Sequence, residues 1–266
     1  MWLAKLLKLR ERGQEDQFKP FLDHLEDLRW TIVKMAITLV SSMIFAFAFR
    51  VQLVEVLQQP LRAVDASLVN NLQALSPVDS VTLSFKLAFY AGLVLSFPLQ
   101  LYLLAEFVLP GLSAKEKRYL LPAVGAGCFL FISGVLFSHC IVIPSTLAFF
   151  YKDQATFGWS PQWGVHQYFS FVTQFTLGFG LSFELPVVVL LLVKLGVVNF
   201  QIMSATRPYA IVILTILSAI ITPTTDILTL ICMSMPMLVL YEICIWISRF
   251  MQAKEDAPPE HPDLKA

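Results

Sequence analysis

The stretch GFGLSFELPVVVLLLVKL, residues 178–195, decides the fold. It closes an apolar run that starts near residue 166 and is long enough, as a helix, to cross about 30 Å of hydrocarbon. Yet it holds Glu184, a carboxylate with no water to solvate it. Such an acid is costly if it faces lipid, so it is expected to face protein or a water-filled concavity. At helical spacing Thr173, Thr176, Gly180 and Glu184 fall on one side and predict a polar, small-residue stripe. A purely structural use is a hydrogen bond to a neighbouring helix. The functional use is a pathway or docking site, which intramembrane acids commonly mark. Pro186, two residues on, is expected to weaken the helix's own ladder and bend it.

Working outward, the chain of 266 residues is 57% hydrophobic and only 14% charged, against about a quarter charged in a soluble domain. Its apolar residues come in blocks rather than alternating, which predicts an all-α integral membrane protein, since only helices and closed barrels span lipid. A net charge of zero leaves no nucleic-acid footprint. Cys128, Cys140, Cys232 and Cys244 lie in or beside apolar runs without metal spacing and read as packing residues, so no metal and no cofactor is expected. No cleavable signal peptide is expected, since the apolar run after the charged first 29 residues lacks a small-residue cleavage site, and the opening MWLAKLLKLRER reads as a surface-lying amphipathic stretch or a frayed tail.

Six transmembrane helices are expected, at about 30–49, 79–107, 119–143, 166–194, 207–221 and 227–247, between an amphipathic segment 1–29 and a charged, Pro-rich, disordered tail 250–266. Proline and charge mark the breaks. Ser76-Pro77-Val78-Asp79 resembles a helix start with proline at the first helical position. Leu109-Pro110-Gly111-Leu112 ends the second span, Pro144 the third, and Thr222-Pro223-Thr224-Thr225-Asp226 separates the fifth from the sixth. The fifth is short, about 22 Å at about 1.5 Å per residue, and predicts a locally thinned bilayer around spans five and six. With six spans, fifteen lysines and arginines fall on the side of the termini and three (Arg50, Arg62, Lys152) on the other, with Lys86 inside span two. The bias predicts cytoplasmic termini.

Two cytoplasmic segments complete the candidate chemistry. AEFVLPGLSAKEKRYLLP, residues 105–122, sets Glu106 and Glu116 among basic residues with Phe107 and Leu112 nearby. Acids flanked by apolar groups suit a partly apolar ligand carrying arginines, whose guanidinium groups bind carboxylates bidentately. Ser113-Ala114-Lys115-Glu116 is also a capping-box pattern, and a cap and a binding residue are not exclusive. KPFLDHLEDLRW, residues 19–30, places Phe21, Leu25, Leu28 and Ile32 on one helical face and Asp23, Glu26, Asp27 and Arg29 on the other. By itself it reads as an amphipathic helix leading into the first span, and His24 alone makes no metal site.

Taken together, HLEDLR at 24–29, FVLPGL then EKR within 107–118, FGLSFELP at 179–186, TPTTD at 222–226 and MPMLVLYE at 235–242 resemble one family in order and spacing. That family is TatC, the multispanning receptor subunit of the twin-arginine protein translocase, and the likeness runs from about Pro20 to Phe250. The resemblance implies a glove-shaped six-span protein of the bacterial inner membrane that binds Arg-Arg signal peptides of folded cargo and draws on the proton-motive force. It implies a signal-peptide site at Glu116, Phe107 and Leu112 with Glu26, Asp27, Leu28 and Arg29. Glu184 is then the acid of the concave face, beside Thr173, Thr176 and Gly180. Spans five and six, with Pro223 and Asp226 at their turn, would dock TatA-type and TatB-type single-span partners, and other copies of the chain would join the assembly. Pro60, Pro110, Gly111 and Pro186 are expected to be structural.

The chain departs from the family's pattern in three places. Asp27 stands where glutamate is usual, Leu230 where glutamine is common after TPTTD, and Leu103 where a polar residue often follows the tyrosine. Glu106 is a candidate for the missing acid. A rival reading is a proton-coupled secondary transporter using Glu184, but the two halves of the chain show no clear repeat. An enzyme is not expected: the four histidines are scattered, no second acid shares Glu184's span, and no phosphate-binding loop occurs.

Overall fold

A computed structural model describes residues 21–111, 114–222 and 226–255, with side chains from 24 to 111, 117 to 222 and 226 to 251. The protein is an all-α membrane protein. Among the described residues, five helices are long and apolar enough to cross a bilayer, and Arg207–Ile221 is a shorter apolar helix.

The first long helix, α1 (Phe21–Ala48), runs without a break through residues 29 and 30, because no proline or glycine interrupts it. The expected boundary there is therefore not a structural one. Three short helices follow: α2 (Arg50–Leu57), α3 (Gln59–Val64) and α4 (Ala66–Asn70). Pro60 sits in the first turn of α3, where its missing N–H costs nothing, and is buried beside Leu61. Asp65 caps α4, accepting a bond from the Ser67 N–H at 2.8 Å, and its other oxygen accepts the Tyr151 hydroxyl at 3.0 Å.

The second long helix, α5, spans Asp79–Val108 and ends in a 3-10 turn, Leu109–Gly111. Its start differs from the expectation. Pro77 lies two residues outside the helix, and Asp79 reaches back to accept the N–H groups of Leu75 and Ser76, both at 2.9 Å.

Helix α1 packs antiparallel along α5. His24 meets Phe107, Met35 accepts a bond from Gln100 at 3.0 Å, and Phe47 lies near Phe85 at 5.3 Å. At Gly92 the backbones approach so closely that an added Cβ would stand 2.8 Å from the Met43 nitrogen.

Pro144 does not end the third long helix. Helix α6 (Ala114–Phe137) passes through a π-turn (Ser138–Val142) into α7 (Ile143–Thr156). The wide turn delivers Pro144 into the first turn of α7, where no intrahelical N–H is needed. A single bridge pairs Gln73 with Gly164, ahead of α8 (Val165–Ser182) and α9 (Leu185–Lys194).

The chain closes with α10 (Phe200–Ala205), α11 (Arg207–Ile221) and α12 (Ile227–Glu255). Residues 250–255 are thus helical rather than part of the expected tail, since RFMQAKE contains no breaker before Pro258. Arg207 pairs with Glu242 at 2.7 Å across α11 and α12.

The main core gathers Leu61, Leu83, Leu87, Val142, Ile143, Val172, Phe175 and Phe179, where α3, α5, α7 and α8 meet. A smaller cluster joins Met203, Cys244 and Ile245. All four cysteines are free, Cys244 fully buried and Cys140 exposed.

Candidate functional site

Two places gather the residues singled out above. At the first, the start of α1 meets the end of α5. The His24 imidazole stacks on the Phe107 ring with centroids 4.6 Å apart and planes 15° from parallel. Asp27 and Thr31 follow His24 on the protein-facing side of α1, half-buried, and Thr31 donates to the Asp27 carbonyl at 2.8 Å. Glu26, Leu28 and Arg29 are exposed, as are Leu25 and Ile32. His24, Asp27 and Thr31 therefore turn toward the bundle, while Leu25, Leu28 and Ile32 face outward together with the charged Glu26 and Arg29.

Glu106 and Phe107 are both half-buried on the last turn of α5, so they share one corner with Asp27. Pro110 and Gly111 form the 3-10 turn that ends α5. Gly111 needs no special backbone, and a Cβ there would meet nothing. Glu116 lies in the first turn of α6, but its side chain falls outside the described residues, as does Leu112 altogether. The capping-box expectation at Ser113 falls outside them too. Beyond, Tyr119 carries two cations over its ring, Arg118 at 4.6 Å and Lys194 of α9 at 5.6 Å.

The second place surrounds Glu184. The helix that holds the expected stripe is broken: α8 stops at Ser182, and Glu184 occupies the N-cap position of α9. Pro186 is the cause. It has no N–H to give the Ser182 carbonyl, and its ring crowds that carbonyl. Across the break Gly180 and Glu184 still face the same helix, Gly180 against Phe131 and Glu184 against Gly127, one turn apart on α6. Thr173 is buried and spends its hydroxyl on the Phe169 carbonyl at 2.7 Å. Gly180 lies against Phe131, whose ring stacks on Phe97 at 3.6 Å.

Glu184 itself is only 9% exposed. Its Oε1 and the Thr176 hydroxyl have no hydrogen-bond partner, and among the described residues no cation pairs with the carboxylate. Gly127 of α6 makes the space: a Cβ there would stand 2.9 Å from Glu184 Oε2 and 2.6 Å from Leu101 of α5. A buried carboxylate with an unused oxygen is a strong acceptor for a polar group brought in from outside, because leaving it unmet is costly.

Asp226 accepts the Thr229 N–H at 2.8 Å and the Thr229 hydroxyl at 2.7 Å, and so caps α12. Pro223 lies outside the described residues. No local pattern marks His24 as the partner of Phe107, or Gly127 as the seat of Glu184. Only the small-residue cluster at 125–128 hinted at a close approach.

Comparison with known proteins places these features. The family model described as "Sec-independent protein translocase protein (TatC)" matches residues 23–236. A "Sec-independent protein translocase protein TatC" of Deinococcus radiodurans is 32% identical over 91% of this chain and 90% of its own. A like-named protein of Akkermansia muciniphila is 47% identical over 70% of this chain. The match spans only 53% of that protein, about half its length. A chloroplast relative from Pisum sativum is 34% identical over 90% of this chain and 66% of its own. A solved structure titled "Crystal Structure of Twin Arginine Translocase Receptor- TatC" superposes with a TM-score of 0.78 at 31% identity, covering 86% of this chain and 99% of its own.

Proposed function

We propose, for a chain that belongs to the TatC family and is a multi-pass membrane subunit of the Sec-independent protein translocase, that it is the receptor for Arg-Arg signal peptides of folded cargo. The observation that carries this reading is the stack of His24 on Phe107. It joins the amino-terminal segment to the end of α5, so that Glu26, Asp27 and Glu106 stand at the corner from which the chain leads on to Glu116. Paired guanidinium groups would meet these acids, Glu116 first, and Phe107 with Leu112 would flank them. The apolar part of the signal would then enter the concave face, where Glu184 offers its unpaired oxygen. A polar group of a partner helix could satisfy it in turn.

On the same reading α11 is a sixth, short span in a thinned bilayer, and both termini face the cytoplasm of a bacterial inner membrane. TatA-type and TatB-type subunits dock on α11 and α12, beside Pro223 and Asp226, further copies of the chain complete the assembly, and the proton-motive force supplies the energy. The chain acts as a receptor rather than an enzyme.

The test is capture of the protein in membranes by an Arg-Arg signal peptide against a Lys-Lys version, repeated with Glu116→Ala. The expected result is capture by Arg-Arg, weakened about tenfold or more by either change, as the loss of charge-assisted hydrogen bonds implies. Equal capture of both peptides would overturn the reading and return Glu184 to a proton-coupled transport role.

A further inference from the structure

Lys86 is an intramembrane cation that the receptor reading does not use. It lies seven residues into α5, about 10 Å from the helix start at about 1.5 Å per residue. Its Nζ donates to the Ser170 hydroxyl of α8 at 2.8 Å, and Ser170 donates on to the His166 carbonyl at 2.6 Å. An ammonium has three donors, and one neutral hydroxyl meets only one of them. Among the described residues no carboxylate pairs with Lys86. A half-buried membrane lysine without a counter-ion is a site in want of an anion.

The depth says which anion. Helix α5 has 30 residues, about 45 Å, and overhangs about 30 Å of hydrocarbon by roughly 7 Å at each end. Lys86 therefore lies near the hydrocarbon boundary, where its long stem lets the ammonium reach the phosphate layer. The face below it is apolar. Lys86, Tyr90, Leu93, Phe97 and Leu101 recur at helical spacing, and their neighbours fix the direction: Ser170 at Lys86, Phe131 against Phe97, Gly127 against Leu101. One face of α5 thus offers a cation at phosphate depth above an apolar bed that ends at Glu184.

We propose that Lys86, positioned by Ser170, binds the phosphate of an anionic phospholipid whose acyl chain lies along α5 toward Glu184. A resident lipid would fill the concave face until another apolar segment displaces it. The proposal needs only that α5 crosses a bilayer and is independent of which cargo the protein receives.

The protein is reconstituted in phosphatidylcholine bilayers doped with phosphatidylglycerol or with diacylglycerol, which lacks phosphate. It is then extracted in neutral detergent, and retained lipid is counted by native mass spectrometry. Wild type and Lys86→Arg are expected to retain phosphatidylglycerol, and Lys86→Gln to retain roughly fivefold less, the effect of one lysine at a charged lipid surface. Lys34→Gln, exposed on α1, should match wild type. Equal retention by Lys86→Gln, or equal retention of diacylglycerol by wild type, would overturn the proposal. So would no retained lipid but capture of an acidic peptide, which would mark a polypeptide site. Should Lys86→Gln fail to fold, the wild-type comparison of the two lipids still decides. Signal-peptide capture, scored separately, does not enter the result.

Discussion

Gly127 and Glu184 face each other across α6 and the break between α8 and α9, with only 2.9 Å between Oε2 and the place a glycine Cβ would take. The missing methyl is what leaves room for the carboxylate. Gly127→Val is expected to destabilise the protein by about 1–3 kcal/mol, the usual range for overpacking. Gly125→Val, where a Cβ would meet nothing, should cost less. Thermal unfolding in detergent checks this, and equal losses at both positions would show that Gly127 is not a close approach.

The stack of His24 on Phe107 holds two distant segments together. Phe107→Ala should lower stability by about 0.5–1.5 kcal/mol beyond the burial it loses, the worth of a stacked pair. It should also weaken Arg-Arg peptide capture. Phe107→Tyr should preserve both. Loss of capture in Phe107→Ala with the same loss in Phe107→Tyr would mean the ring contacts the peptide rather than His24.

Asp226 has a local task that its place in TPTTD does not disclose. As the cap of α12 it serves Thr229 with both side-chain oxygens. Asp226→Ala should cost about 0.5–2 kcal/mol, and Asp226→Asn much less, because the amide oxygen still accepts the Thr229 N–H. If Asp226→Asn lost partner binding while keeping stability, the charge would serve docking as well as capping.

Asp65, at the far side of the bundle, gives a pH dependence of known sign. Bonds from the Ser67 side chain and backbone, and then from Tyr151, hold its carboxyl below the ordinary 3.8. The folded chain therefore binds its proton less readily than the unfolded chain. Stability from Asp65 is complete above 3.8 and is lost as pH falls through the lower folded value. Unfolding followed from pH 6 to about 2 should show this loss in wild type and not in Asp65→Asn. Parallel curves would show that Asp65 contributes nothing to acid sensitivity.

Much of the fold was legible because local chemistry sets it. Arg207–Ile221 falls where charge at one end and Pro223 after the other put it. The bend at Pro186 followed from one missing N–H, although its consequence, a helix that stops at Ser182 and leaves Glu184 at the N-cap of the next, did not. Proline misled at Pro144 because a π-turn, set by packing rather than by sequence pattern, rescued the helix. In the candidate site the acids could be named, but not their neighbours. His24 and Phe107 are 83 positions apart, and nothing local in either hexapeptide announces the other. Contacts of that kind arise from the register of α1 on α5, which is fixed jointly by Gly92, Gln100 and Phe85.

The rod formed by α6, the π-turn and α7 has a mechanical consequence. From Lys117 to Thr156 it is 40 residues, about 60 Å, or twice the hydrocarbon thickness. One end begins the segment that carries Glu116, and near the other Tyr151 is tied to Asp65. Such a rod is continuous from surface to surface, its helical ladder altered only at Pro122 and at the five residues Ser138–Val142. No loop intervenes between the two surfaces, so the start of α6 and the Tyr151–Asp65 contact are placed relative to each other by helix geometry alone.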